Sequence, residues 1–330
     1  MKLSVIIPCF NEEKHIEKCV LSLLKNGFAQ DEMEILLVDG MSIDQTRNIV
    51  AELNKNHPQL RLIDNPKKRT PFALNLGITN ARGEYILIAS AHSSFDQGYI
   101  QTLFHEMQRL EADVVGGVME TKIKNQTPTA LAIKQVLSHK FGVGNAIFRI
   151  GTDEAIETDT VPFGLYKTVL LKSINGYDER LIRNHDIEMS KRIISKGGKI
   201  FLTPKTKCYY YARETWLKLA KNNFDNGKWN LITAYYTKNF ASLSLRHFIP
   251  LFFVLSLLLP IFMSLVFWPF IFLTLLSFGL YFLTLIVVIS KMDKKGTSFL
   301  HLLWTFVVLH ISYGVGSFIG IFHFSKYFQR

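Results

Sequence analysis

Two short apolar runs near the start of the chain end in acidic loops. Val5-Ile6-Ile7-Pro8 stops at Asn11-Glu12-Glu13, and Ile35-Leu36-Leu37-Val38 stops at Asp39-Gly40-Met41-Ser42-Ile43-Asp44-Gln45-Thr46. Uninterrupted apolar runs of this length read as strands buried on both faces. The pattern predicts strands at residues 4–9, 35–39, 61–65, 84–90 and 113–119, with helices at 13–24, 45–54, 71–80 and 99–110 between them. Such alternation describes an α/β fold, a mostly parallel sheet with right-handed crossovers. Ligands of open α/β sheets sit beyond the carboxyl ends of the strands. Carboxylates placed there accept hydrogen bonds from base N–H groups and ribose hydroxyls and help hold a metal, which suits a sugar nucleotide.

From 122 to 158 the pattern weakens, with Gly142-Val143-Gly144 and Gly151 as flexible points, and the stretch reads as a loop-rich acceptor region. Helices are expected again at 167–173 and 186–195, the second stopped by Gly197-Gly198. Short strands follow at 200–202 and 207–211. A helix at 214–238 reads as amphipathic and suited to a membrane surface.

The chain then changes character. Residues 249–290 contain no Asp, Glu, Lys or Arg. That is too long for one membrane helix and suits two, with Trp268-Pro269 as the turn. A third apolar stretch runs from 299 to 322. The expected division is a globular domain at 1–240, including the amphipathic helix, and a membrane domain at 248–323. Its spans are expected at 248–268, 270–290 and 299–322. This tail accounts for a hydrophobic content of 48% and a positive mean hydropathy in a chain of 330 residues. It also settles the meaning of the net charge of +11. The basic residues are scattered and accompany no nucleic-acid motif, so an anionic membrane surface is the partner they imply. Lys291, Lys294 and Lys295 between the second and third spans place that loop, and with it the N-terminal domain, in the cytoplasm. Lys326 and Arg330 at the C-terminus run weakly against this orientation. A transporter is disfavoured, because the spans contain no Asp, Glu, Lys or Arg, side chains that commonly mark an ion path. Cys9, Cys19 and Cys208 have the spacing of neither a disulfide framework nor a zinc site, and read as small apolar residues in a reducing compartment. The Asn125-Gln126-Thr127 sequon carries no weight in a cytoplasmic domain.

Read together, several segments resemble family 2 of the glycosyltransferases, in the membrane-associated branch typified by succinoglycan-biosynthesis enzymes. They are 6–13, 38–46, 65–75 and 83–86, then Val161-Pro162-Phe163-Gly164, Arg183-Asn184-His185-Asp186-Ile187-Glu188 and Gly227-Lys228-Trp229. The resemblance covers essentially the whole chain and implies the GT-A nucleotide-sugar-binding fold. It implies that Asp39 contacts the uracil of the donor, with Pro8, Asn11 and Glu13 shaping that end of the pocket. Asp44 either completes this pattern or caps the following helix. Arg69, beside Lys67 and Lys68, either offsets phosphate charge or is solvated. Asn75 belongs to the same nucleotide-binding set. Asp186 matches the catalytic base, with Glu188 as a second, orienting or metal-near acid; a first-turn acid pleasing the helix dipole is the structural alternative.

The chain departs from the family in two places. Ser90-Ala91-His92 stands where members carry Asp-x-Asp or Asp-Ala-His. Ser90 thus replaces a carboxylate that would hold ribose and a divalent metal, Mg²⁺ or Mn²⁺, and metal dependence is in doubt. His92 is either a metal ligand, better matched to Mn²⁺, or a satisfied structural histidine. Lys228-Trp229 resembles the end of the Gln-x-x-Arg-Trp signature of processive members, without its Gln and with Lys for Arg. It reads as a diphosphate-binding Lys beside a sugar-stacking Trp, or as a snorkelling Lys beside an interfacial Trp. The implied activity is inverting transfer of a hexose from a UDP-sugar to a lipid-linked saccharide in extracellular or capsular polysaccharide synthesis. The alternatives are a processive synthase and a non-catalytic sugar-nucleotide-binding scaffold. Oligomeric state cannot be read from these residues.

Overall fold

The structure is a computed structural model that describes residues 1–26, 28–238 and 243–322; Lys326 and Arg330 lie outside these. It divides into two compact units. The first comprises residues 1–120 and 147–211, the second residues 121–146 and 212–330. The segment 121–146 and the long helix after 212 thus group with the apolar helices.

In the first unit β1 (Leu3–Cys9), α1 (Ile16–Leu24), β2 (Met33–Asp39), α2 (Thr46–Asn56), β3 (Leu60–Asp64), α3 (Thr70–Asn80) and β4 (Tyr85–Ile88) alternate as the sequence pattern requires. Then come β5 (Ser93–Phe95), α4 (Tyr99–Arg109) and β6 (Val114–Lys122). The sheet order is β3-β2-β1-β4, continued by later strands. β2–β3, β1–β2 and β1–β4 are all parallel, with Val5 opposite both Ile35 and Leu87. The strand order reverses at β1, and in open α/β sheets such a switch point is where a crevice opens beyond the carboxyl ends of the strands, here β1 and β4. Strand alternation sends Leu3, Val5 and Ile7 to one core with α1 and α4 residues, and Ile6 to a second core with Ala73, Leu74 and Ile78 of α3. Both faces are therefore covered, which is why the strands carry almost no exposed position.

The second unit takes α5 (Pro128–Leu137) and α6 (Lys140–Val143); the first resumes with α7 (Ile147–Ile150), β7 (Ile156–Glu157), β8 (Leu165–Lys167), α8 (Thr168–Ser173), α9 (His185–Ser195) and β9 (Ile200–Tyr211). The sheet is parallel only over its first four strands. β8 lies antiparallel to β4 and β6, and β5 and β7 are antiparallel to β9, making the whole sheet mixed. Two local expectations are corrected here. β9 is one strand of 12 residues, not two, because Pro204 lies within it without ending it. The stretch 122–158 is not mainly loop. Thr127 caps α5 by accepting the Ala130 N–H at 3.2 Å, and Pro128 fills the first turn, where its missing N–H costs nothing.

In the second unit α10 (Trp216–Thr237) is followed by three helices long and apolar enough to cross a membrane: Leu245–Ser264, Trp268–Ser290 and Phe299–Phe322. Their α-helical parts are α11 (Ile249–Ser264), α12 (Ile271–Ser290) and α13 (Phe299–Phe322). Trp268 sits in the turn between the first two, 67% exposed. α10 lacks the single dry face of a surface helix: every residue from Trp229 to Ala234 is buried. Its backbone runs against α13 through small residues. A Cβ on Gly316 would lie 2.0 Å from Phe224 O, and one on Gly227 2.0 Å from Tyr313 O. Only glycine permits that approach, the device by which small residues bring apolar helices together. Trp216 Nε1 donates to Thr305 Oγ1 at 2.9 Å, and Asn230 Nδ2 to Tyr313 Oη at 3.0 Å, satisfying polar groups between the helices.

Candidate active site

The loop after β1 and the loop after β2 are laced together by reciprocal hydrogen bonds. Asn11, at φ 55°, donates its N–H to Ser42 Oγ (2.8 Å), while its Oδ1 accepts from Ile43 N (3.0 Å). The Glu13 N–H donates to Asp44 Oδ2 (3.2 Å), and Glu13 Oε2 accepts from Gln45 N (3.1 Å). Asp44 Oδ1 takes the Thr46 hydroxyl (2.6 Å) and N–H (3.0 Å). Burial would raise the Asp44 pKa, but the bonds from Thr46 and Glu13 outweigh it and hold the carboxyl below its ordinary value. Asp44 thus caps α2 and locks the loops at once.

Asp39 is fully buried at the end of β2. It accepts from Ser42 Oγ (2.5 Å), Ser42 N (3.0 Å) and Arg47 Nη1 (2.7 Å). Arg47 also reaches Asp64 at 2.8 Å. Sequence reasoning missed this arginine, whose only signal was its place in the first turn of α2. Pro8 is partly buried on β1 opposite Val38.

Across the crevice, His92 Nε2 lies 2.7 Å from Glu12 Oε1. His92 is exposed, and its ring edge meets His15 with centroids 4.9 Å apart. The Ser90 hydroxyl accepts the His92 N–H at 3.4 Å. This donor set does not match a hard divalent cation, which takes mainly carboxylate and carbonyl oxygens. It consists of a hydroxyl, an imidazole already paired, and one buried Glu12 oxygen without a partner. Among the described residues no three His, Cys, Asp or Glu side chains converge on one point. Asp96 is committed elsewhere, accepting from Lys207 N and Tyr209 Oη.

Asp186 occupies the first turn of α9, exposed, behind Asn184 at φ 61°. Its Oδ1 accepts the Ile187 N–H at 2.9 Å. Glu188 points away from that role. Both of its oxygens bind Arg192, at 2.6 and 2.8 Å, and Arg192 donates onward to Ile174 O and Gly176 O. Glu188 therefore anchors α9, the helix that carries Asp186, to the turn before it. Asn75 is likewise occupied. Its amide donates to Tyr177 O (2.9 Å) and accepts from Tyr177 N (2.8 Å), bracketing the same turn. Its nitrogen also donates to Glu179 Oε1 at 3.0 Å. Arg69 is exposed just before α3, its carbonyl taken by Asn65 Nδ2.

Near Asp186 lies a residue that sequence reasoning passed over. Arg149, on α7, has its guanidinium over the rings of Tyr210 (5.4 Å) and Phe148 (5.6 Å). Its Nη1 is buried without a hydrogen-bond partner. Burial lowers its pKa against the fields of Tyr210, Cys208 and Asp186. His185 is also held down by burial, against the fields of Asp186 and Glu188. The three cysteines are buried, and burial pushes the Cys19 thiol up to about 12, as expected of packing residues. Lys228 and Trp229 belong to α10 in the second unit, Trp229 buried. Two concavities of the surface, about 580 and 560 Å³, lie beside α1 and beside Met1, and neither includes Asp186.

Comparison with known proteins bears on the family and the fold. The model of the family described as "Glycosyl transferase family 2" matches residues 4–169. A dolichyl N-acetyl-α-D-glucosaminyl phosphate 3-β-D-2,3-diacetamido-2,3-dideoxy-β-D-glucuronosyltransferase of Methanococcus voltae is 30% identical over 233 residues, covering 68% of this chain and 71% of the relative. The succinoglycan biosynthesis protein ExoA of Rhizobium meliloti is 28% identical, covering 75% and 74%. Among solved structures, the mannosyltransferase PcManGT of Pyrobaculum calidifontis, in complex with GDP-Man and Mn²⁺, superposes with a TM-score of 0.60 at 14% identity, over 96% of this chain and 87% of that one. The 1–349 fragment of S. aureus TarS gives 0.55 at 20% identity, over 96% and 90%. These structures share the GT-A fold of the first unit. With a family match over half its length and a relative of 30% identity, this chain belongs to glycosyl transferase family 2 and is a glycosyltransferase.

Proposed function

We propose that the chain transfers one hexose from a nucleotide sugar, UDP-linked, to a lipid-linked saccharide in polysaccharide assembly, with inversion at the anomeric carbon. The observation that carries this is Asp186: a first-turn carboxylate, exposed, with a single N–H bound to it and its backbone fixed by the Glu188–Arg192 pair. A carboxylate so placed can accept a proton from an incoming hydroxyl. In the step, the acceptor oxygen bonds to the anomeric carbon as the bond to the departing nucleoside diphosphate breaks, and the acceptor proton passes to Asp186. The laced loops after β1 and β2 hold the base end of the donor, where Asn11, Glu13, Asp39 and Asp44 form one rigid rim. A metal at Ser90-Ala91-His92 is given no part in the step.

A lipid-linked acceptor is supported by the three apolar helices, which hold enzyme and acceptor at one surface and raise their effective concentration. It is supported also by the Methanococcus relative, which bears a dolichyl phosphate substrate in its name. A UDP donor is supported by the TarS fragment, which has been solved with UDP-GlcNAc. The proposed orientation is cytoplasmic, multi-pass in the cell membrane, from the Lys291, Lys294 and Lys295 loop. That loop touches α5, where Thr297 Oγ1 donates to Pro128 O at 2.9 Å. The catalytic domain is proposed to reach residue 240 and the membrane domain to span 248–323. The test is transfer from labelled UDP- and GDP-sugars to a membrane lipid extract. Label in the organic phase, from a UDP-sugar, is expected; label only in water-soluble product would refute the lipid-linked acceptor.

A further inference from the structure

Arg149 differs from the other arginines of the first unit that stand among its acids. Arg47 is bound to Asp39 and Asp64, Arg61 to Glu34, Arg109 to Glu106 and Arg192 to Glu188. Arg149 has no carboxylate within ion-pair distance among the described residues, and its Nη1 is buried with nothing to donate to. Buried guanidinium nitrogens are normally satisfied, so an orphan calls for an absent acceptor. The position of this orphan points to what the acceptor is. Its guanidinium stacks on Tyr210. Tyr210 pairs in register with Ser93 of β5, and Ser93 Oγ donates to Ser90 O at 2.6 Å. Asp186 is the carboxylate whose field acts on it. Arg149 therefore neighbours the carboxyl end of β4 through Tyr210 and feels the charge of Asp186.

The region beyond the carboxyl end of β4 is where a donor's diphosphate must lie if its base rests on the β1 and β2 loops and its anomeric carbon faces Asp186. The anion there gains a further negative charge as the glycosyl bond breaks, and a fixed cation in a partly dry site stabilises it most. At the end of β4 the protein offers a serine hydroxyl and a histidine already held by Glu12. A guanidinium, planar and always charged, binds phosphate oxygens through paired N–H groups. Stacking on Phe148 and Tyr210 keeps it oriented while Nη1 stays available.

We propose that Arg149 is a binding residue for the diphosphate of the donor nucleotide and carries the charge that develops on the leaving group. This rests on the glycosyltransferase reading of the Asp186 site and assigns its charge partner. The test is calorimetric titration of the full-length detergent-purified protein, with EDTA present, by UDP and by uridine, for the native protein, Arg149→Lys and Arg149→Gln. The native protein should bind UDP more tightly than uridine. Arg149→Gln should weaken UDP binding by about ten-fold or more and leave uridine binding unchanged, since a charged hydrogen-bond pair is lost only to the phosphates. Arg149→Lys should fall between, keeping charge without the paired geometry. Equal UDP affinity in Arg149→Gln and the native protein would overturn the proposal. So would a parallel loss of UDP and uridine affinity, which would show a structural role only. Failure of the native protein to bind either UDP or GDP would instead overturn the donor-site reading on which the proposal stands.

Discussion

Gly227 opens the closest backbone approach in the second unit, and replacing it offers a quantitative test of how α10 is held. A Cβ there would lie 2.0 Å from Tyr313 O and 2.9 Å from Ser317 N and Oγ. To reach van der Waals contact at about 3.4 Å the helices must part by roughly 1.4 Å, and both obstacles on the near side are backbone. That separation would also loosen Gly316 on Phe224 O and Gly320 on Lys228 O. Overpacking of this kind costs about 1–3 kcal/mol. For a unit of this size the cost corresponds to a fall of about 3–10 °C in melting temperature. Gly279 on α12 is the control. A Cβ there meets nothing within 4 Å, and Ala favours a helix over Gly by about 1 kcal/mol. Trp216, Trp229, Trp268 and Trp304 all lie in the second unit, so tryptophan fluorescence during heating in detergent reports on it selectively. Gly227→Ala should melt early and Gly279→Ala no earlier than the native protein. Equal melting of the two variants would refute the packing argument.

Three further outcomes are expected. Glu106 is buried and bound by Arg109 and Lys205, and the Arg109 hydrogen bond, with that of Lys205, lowers its pKa to about 2 against the opposing effect of burial. A carboxyl lowered on folding stabilises above its ordinary value and loses that contribution as pH falls from about 4.5 toward about 2. Glu106→Gln should therefore lower the melting temperature at pH 7 and by less at pH 3; equal losses at both would contradict this. Asp44→Ala removes the acceptor of Thr46 and Glu13, and should weaken UDP binding by about ten-fold or more if the laced loops form the base rim; unchanged affinity would place the base elsewhere. Ser90→Asp puts a carboxylate beside His92, and should make UDP binding respond to Mn²⁺; an unchanged metal response would show that this is not the altered metal site.

The sequence made the parallel half of the sheet legible because its strands are buried on both faces and end in acids that serve local loops. Asn11, Glu13, Asp39 and Asp44 could be picked out for the same reason: their partners lie in the adjoining loop. What could not be read depends on distant partners. Arg149 is notable only because its guanidinium stacks on Tyr210 with Nη1 unpartnered, and Arg47 because Asp39 and Asp64 bind it. Glu188 and Asn75 were expected at the ligand, and their bonds to Arg192, to the Tyr177 backbone and to Glu179 could not be read from the sequence either. In α5 the start signal was present in Thr127-Pro128 but stood in a weakly periodic stretch, and in β9 Pro204 masked a continuous strand. Gly227, quoted with Lys228 and Trp229 as a motif, has a packing role that only the α13 backbone reveals.

The central claim is that Asp186 takes the acceptor proton, and kcat for UDP release by the native protein and by Asp186→Asn, each saturated with UDP-sugar and lipid acceptor, tests it most directly. The account predicts a loss of about 10²–10⁴-fold in kcat, with UDP affinity unchanged. Turnover by Asp186→Asn within a few-fold of the native rate would contradict it.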